Sequence, residues 1–175
     1  MPPNYESFNM QPEKLTVDAF GEPGNRVFLL QATMGSQTVT LKVAKEQLRA
    51  LARYIGDLLE DLPRPAHLPA DEDLAMSHPA EPQWDVGPIS VTYEQENDQL
   101  VMTCEQATSD GSSADLDMPA AVATFRVSRE QIAALAIRAI QLVEAGRPPC
   151  PLCGYPLDAR GHTCPRTNGN SQPLV

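Results

Sequence analysis

From Leu15 the chain alternates: Leu15, Val17 and Ala19 are apolar, Thr16 and Asp18 are polar, and the run ends in Gly21-Glu22-Pro23-Gly24-Asn25, a turn by composition. Residues 26–33 are apolar on both faces through Val27, Phe28, Leu29 and Leu30, which predicts a strand covered on both sides. After Gly35-Ser36, suited to a tight hairpin, Val39, Leu41 and Val43 alternate with Thr38, Thr40 and Lys42. Then the period changes. Leu48, Leu51, Ala52, Ile55, Leu58, Leu59 and Leu62 fall at i, i+3, i+4, i+7, i+10, i+11 and i+14, the stripe of an amphipathic helix that stops before Pro63.

Residues 41–60, LKVAKEQLRALARYIGDLLE, return 84 positions later (125 − 41) as FRVSREQIAALAIRAIQLVE. Val43, Glu46, Gln47, Ala50, Leu51, Ala52, Leu58 and Glu60 recur unchanged as Val127, Glu130, Gln131, Ala134, Leu135, Ala136, Leu142 and Glu144. The second helix opens with Ser128 and Gln131 at capping-box spacing and ends at Gly146, where Pro148 and Pro149 forbid continuation. Upstream, Ile89, Val91 and Tyr93 alternate with Ser90, Thr92 and Glu94, Glu96-Asn97-Asp98 makes a turn, and Leu100, Met102 and Cys104 share one face. A polar insertion from Thr108 to Pro119 precedes Ala123, Phe125 and Val127. The fold class predicted is α+β: a duplicated βββα unit whose halves form antiparallel sheet with two packed helices about a pseudo-twofold axis, plus a small C-terminal zinc knuckle.

This reading divides the chain into a tail (1–12), one domain (13–146) and a zinc-knuckle tail (147–175). Within the domain, repeat one is 15–61, repeat two is 88–146, and 62–87 is a linker carrying Pro63, Pro65, Pro69, Pro79 and Pro82. Leu68, Leu74, Met76 and Trp84 are the residues expected to strap that linker to the body, with Trp84 its anchor.

Chemistry concentrates in the last tail. Cys150, Cys153, His162 and Cys164 make the pattern C-x2-C-x8-H-x-C, four sulfur and nitrogen ligands that suit tetrahedral zinc. A closed shell leaves no position for water, so the expected Zn2+ is structural. His162 is the least standard of the four ligands. The competing redox reading of Cys-x-x-Cys needs a helix N-terminus, and prolines precede this one. Cys104, in phase with Leu100 and Met102, is expected to be a buried small apolar residue. His67 and His78 are expected at the surface, and Glu46 and Glu130 as ordinary acidic residues of a first helical turn.

A net charge of −10 argues against nucleic acid or anionic lipid as a general partner. The absence of a long apolar run argues against a membrane span, and four cysteines without an export signal suggest a reduced, cytoplasmic protein. The tail differs: Arg147, Arg160 and Arg166 against Asp158 make it basic, and with Asn168 these arginines are its candidate partner-binding residues.

The run from Gly21 to Ala32, the helix start Lys45-Glu46-Gln47, Cys-Pro-Leu-Cys-Gly at 150–154 and Gly161-His162-Thr163-Cys164-Pro165-Arg166-Thr167-Asn168-Gly169 together resemble an uncharacterised bacterial family best represented in actinobacteria. That resemblance implies no activity. Its genes lie near those for a histidine-phosphatase-like and a phosphoinositide-kinase-like protein, which implies a shared pathway. A likeness of architecture to the PUR and Whirly single-strand nucleic-acid binders is not matched by their basic and aromatic sheet faces, since Asp18, Glu94 and Glu105 stand on the polar faces here. The function expected is a non-catalytic cytosolic adaptor that binds another protein. The alternatives are a nucleic-acid binder using the basic tail and, more distantly, an enzyme with a site between the repeats.

Overall fold

The computed structural model describes residues 6–22, 24–78, 80–108, 119–146, 149–154, 157 and 164–167. In chain order these form β1 (Phe8–Met10), β2 (Lys14–Phe20), β3 (Val27–Met34), β4 (Gln37–Val43), α1 (Lys45–Glu60), β5 (Trp84–Glu94), β6 (Gln99–Gln106), β7 (Val122–Val127) and α2 (Arg129–Glu144). The two helices start and stop 84 positions apart (129 − 45, 144 − 60) and bury matched stripes: Leu48 with Ile132, Leu51 with Leu135, Ala52 with Ala136, Ile55 with Ala139. The strand registers repeat as well. Val17 stands opposite Leu30 and Leu30 opposite Leu41; in the second half Val91 stands opposite Met102 and Met102 opposite Phe125.

The strands lie in one seven-stranded sheet of order β1-β7-β6-β5-β4-β3-β2. Pairing is antiparallel inside each half but parallel where the halves meet, β4 with β5 at Leu41↔Trp84 and β7 with β1 from Phe8↔Ala123 to Met10↔Phe125. The sheet is therefore mixed, a correction to the antiparallel expectation. β1 also corrects the assignment of residues 1–12 to a tail, because Met10 is 2% exposed and Pro12 is buried. Likewise β5 begins at Trp84, inside the stretch read as linker up to 87.

β1 and β2 sit at opposite ends of the strand order, yet only Gln11, Pro12 and Glu13 separate them. Four peptide units reach at most about 14 Å, whereas the edges of a flat seven-stranded sheet are roughly 29 Å apart. The sheet must curl until its edges approach. Its inner face (Leu15, Val17, Phe28, Leu30, Val39, Leu41, Val91, Leu100, Met102, Phe125 and their neighbours) closes with both helices around one hydrophobic core.

The helices pack antiparallel. Lys45, the first residue of α1, ends beside Gly146 after α2, and Arg129, the first residue of α2, donates to the carbonyl of Pro63 beyond α1. A cation at each facing C-terminus complements the helix dipole. Because the N-termini lie at opposite ends of the pair, Glu46 and Glu130 are kept apart, and Glu46 pairs instead with Arg49 at 2.7 Å. Arg129 also bonds Asp98, at φ +49 in the β5–β6 turn. That guanidinium, and then the Tyr93 hydroxyl, hold the Asp98 carboxyl below its usual range.

Two glutamines lock the halves together. The Gln47 carbonyl accepts from the Ala44 N–H (2.9 Å) while its amide donates to Val86 O (3.0 Å) and Gly87 O (2.7 Å). Gln131 does the same one half later, accepting from the Ser128 N–H (3.0 Å) and donating to Pro12 O (2.9 Å) and Glu13 O (3.2 Å). Each glutamine thus caps its own helix and fixes the entry of the other half's first strand. Gln47→Ala and Gln131→Ala should each lower the unfolding free energy by about 1–3 kcal/mol in urea melts, since part-buried backbone groups lose their partners.

Residues 70–78 and 80–83 cross the outer face of β2, β3 and β4. The Thr16 hydroxyl donates to Leu74 O (2.6 Å), the Lys14 ammonium to Ala75 O (2.7 Å), and the Gln31 side chain exchanges bonds with Ser77 O (3.0 Å) and Ser77 N–H (2.8 Å). Gln83 pairs with the backbone of Thr40. This strap buries Leu74 and Met76, whereas Leu68 stays 48% exposed. It supplies the second cover that the two-faced apolar pattern of β3 demands, and Leu29 is 5% exposed beneath it. Trp84, 4% exposed, anchors the end of the strap in the core.

Candidate metal centre

After α2 the chain turns at residues 151–153, and Gly154, at φ +77, sends it back with its N–H on Cys150 O at 2.8 Å. That conformation is cheap only for glycine. The turn brings Cys150 and Cys153 together, and Cys164, 2% exposed at the start of a short 3-10 turn (Pro165–Thr167), joins them. All three sulfurs lie within 4.8 Å of one another, and none is in a disulfide. Ligand sulfurs at about 2.3 Å from a tetrahedral zinc would stand roughly 3.8 Å apart, so the three are gathered close to the spacing a metal requires. The backbone N–H groups of Cys153 and Leu152 point at the Cys150 sulfur and hold its thiol below its ordinary range, with smaller help from the Cys153 and Cys164 side chains. Amides directed at sulfur favour the thiolate that a metal needs.

Of the residues expected in this region, the three cysteines are brought together. His162 lies outside the described residues, as do Arg147, Arg160 and Asn168. Arg166 is described and exposed. His67 and His78 are at the surface, His78 meeting the ring of Phe20 edge-on at 5.6 Å between centroids.

Cys104 stands apart. It is fully buried in the inner face of β6, and burial pushes its thiol up to about 12. In native, chelator-treated protein iodoacetamide at pH 8 should therefore modify the three tail cysteines and spare Cys104, as peptide mapping by mass spectrometry would show. The same shift has a stability consequence. The unfolded chain gives up this proton near pH 9 and the folded one only near 12, so stability should fall as pH rises through that window, and Cys104→Ala should flatten the fall.

One further concavity lies between α1 and β5, a cavity of about 250 Å³ lined by Gln47, Ala50, Leu51, Tyr54, Gly87, Ile89 and Val91. Beyond Asp85, β5 no longer pairs with β4, and the Tyr54 hydroxyl reaches across to Val91 O at 3.2 Å. At the equivalent place in the second half the Arg138 guanidinium donates to Val17 O at 2.7 Å, and Ala134, counterpart of the exposed Ala50, is buried. The opening thus belongs to one copy. The recurrence of Gln47 as Gln131 was the signal in the sequence that could have pointed to these helix–strand contacts.

The fold and the cysteine cluster define a duplicated α+β protein with three cysteines after α2 placed where they could hold a metal ion. The chain belongs to a family of proteins of unknown function, DUF3090, which it matches over residues 7–164, from the residue before β1 to the last cysteine of the cluster. No curated protein and no solved structure matches it. No helix among the described residues is long and apolar enough to cross a membrane.

Proposed function

We propose that this is a non-catalytic cytoplasmic binding protein whose α+β body presents a surface to another protein and whose C-terminal tail is folded on a structural zinc. The observation that carries the reading is the convergence of the Cys150, Cys153 and Cys164 sulfurs. Three thiolates select a soft or borderline metal, and zinc takes them in a closed shell with His162 as fourth ligand. Such a site contributes folding energy to a tail that is too short and polar to bury a core of its own.

The cavity between α1 and β5 supports binding over catalysis, since its lining has an amide and a phenol but no histidine, cysteine, lysine or carboxylate. The net charge of −10 favours a protein over a nucleic acid as partner, and the tail arginines Arg147, Arg160 and Arg166 with Asn168 are where a phosphate-bearing partner would bind instead. Fluorescence anisotropy with single-stranded DNA and RNA at two salt concentrations separates the two. Protein binding predicts no salt-sensitive nucleic-acid complex; a complex that weakens steeply with salt would transfer the function to the tail.

A further inference from the structure

The cavity of about 250 Å³ between α1 and β5 has a closed counterpart in the other half. Pair by pair, the side chains around it are less covered than their equivalents. Ala50 is exposed where Ala134 is buried, Ile89 is half-buried where Leu15 is buried, and Tyr54 stands exposed where Arg138 lies across β2 to bond Val17 O and Asp18.

The edge of β5 turns backbone groups into this opening. The Gln47 amide takes the carbonyls of Val86 and Gly87, and the Tyr54 hydroxyl takes that of Val91. In an antiparallel ladder the N–H and C=O of one residue point to the same side, and alternate residues point alike. Because Val91 O faces α1, the Val91 N–H and the Ile89 C=O face it too, away from β6. β4 leaves this edge after Asp85, and neither group has a partner among the described residues. A carbonyl and the N–H two residues further on thus stand side by side on one edge, an acceptor next to a donor.

We propose that this opening binds a small, flat, uncharged nitrogen heterocycle of the nucleobase kind, one that presents an N–H donor beside a ring-nitrogen or carbonyl acceptor. The edge of such a ring is complementary to the Ile89 C=O and the Val91 N–H. Its faces meet the aliphatic side chains of Ala50, Leu51 and Ile89 and the ring of Tyr54, which line the cavity. The volume lies below the roughly 300–1,000 Å³ of pockets for drug-sized ligands, which selects a single ring system. Among the described residues no charged side chain lines the opening, which selects a neutral base over a nucleotide or a nucleic-acid backbone. The site goes beyond the protein-binding reading and rests neither on it nor on the zinc.

The probes are adenine, hypoxanthine, cytosine and uracil, each titrated to its solubility limit into the isotope-labelled, full-length, zinc-loaded protein and followed by amide NMR. Saturable binding of at least one base is expected, with the largest shifts at the Val91 amide and at its neighbours on β5 and α1. Ala50→Trp, at an exposed position on the rim, fills the opening and should weaken that base at least about tenfold while amide shifts elsewhere stay in place. Arg49→Ala, whose side chain pairs with Glu46 outside the cavity, should leave the affinity unchanged. An analogue of the same base methylated at its donor nitrogen cannot donate to Ile89 C=O and should also bind at least about tenfold more weakly, a comparison made on the wild type alone. No saturable binding of any of the four bases overturns the proposal. So does binding indifferent to Ala50→Trp, which would place the ligand elsewhere, and so does equal affinity for the methylated analogue, which would make the opening an apolar cleft without readout by the strand edge.

Discussion

Leu135→Ala should lower the unfolding free energy by about 3–5 kcal/mol, the upper part of the range for deleting a buried leucine side chain. Leu135 is 1% exposed, in the stripe where α2 meets the core, and among the largest fully buried side chains of the protein. Leu51 is its counterpart in α1, but it is 7% exposed and borders the cavity beside β5. Space already open next to Leu51 means fewer dispersion contacts to lose, so Leu51→Ala should cost less, about 2–3 kcal/mol. Arg49→Ala, on the exposed face of the same helix, should cost under about 0.5 kcal/mol. Urea melts with unchanged slope would report all three. A neutral Leu135→Ala would mean that the helices do not share one core with the curled sheet.

The second large effect is expected in the tail. Cys153→Ser removes one thiolate from the cluster, and zinc affinity should collapse, because zinc knuckles take their folding energy from the metal. The body has its own core and should keep its main unfolding transition within about 0.5 kcal/mol. Hydrogen exchange and protease cutting should therefore accelerate after Pro149 alone, and a strong chelator acting on the wild type should reproduce the pattern. Loss of protection throughout α1, α2 and the sheet would show that the tail is part of the main core.

How much of this was legible depends on the length and spacing of each signal. The third strand and helix of each half declare the duplication because they share a single offset of 84 (127 − 43) and the helix carries a long 3.6-residue period. The earlier strands hide it, since the equivalent residues are 74 apart in the first strand (91 − 17) and 72 in the second (102 − 30). A change in turn length between the first two strands and the insertion before β7 break the frame, and a comparison at one fixed offset misses both. Only the paired registers restore it.

β1 was not legible for a different reason. Three residues carry no measurable period, and Phe8-Asn9-Met10 becomes a strand only because β7, from the far end of the sequence, offers it an edge. The parallel junctions were missed with it. Two βββ runs read most simply as antiparallel sheet, and nothing local states how their outer strands meet. The strap lay between these extremes: of the four apolar residues expected to hold it, Leu74, Met76 and Trp84 are buried but Leu68 stays exposed, because apolar character in a polar stretch does not say which side chains find a neighbour. In the tail, residue type and spacing were enough to pick out the three cysteines that the fold brings together, because such a candidate site is read from ligand chemistry rather than from packing; His162 lies outside the described residues. Cys104 was separable from them by phase alone, and its full burial bears that out.

Elemental analysis of freshly purified, reduced protein, alongside Cys153→Ser prepared identically, decides the metal centre. The convergence of Cys150, Cys153 and Cys164 predicts one zinc per chain in the wild type and none in the variant. Wild-type protein that carries no metal and takes up none on titration with zinc would contradict it.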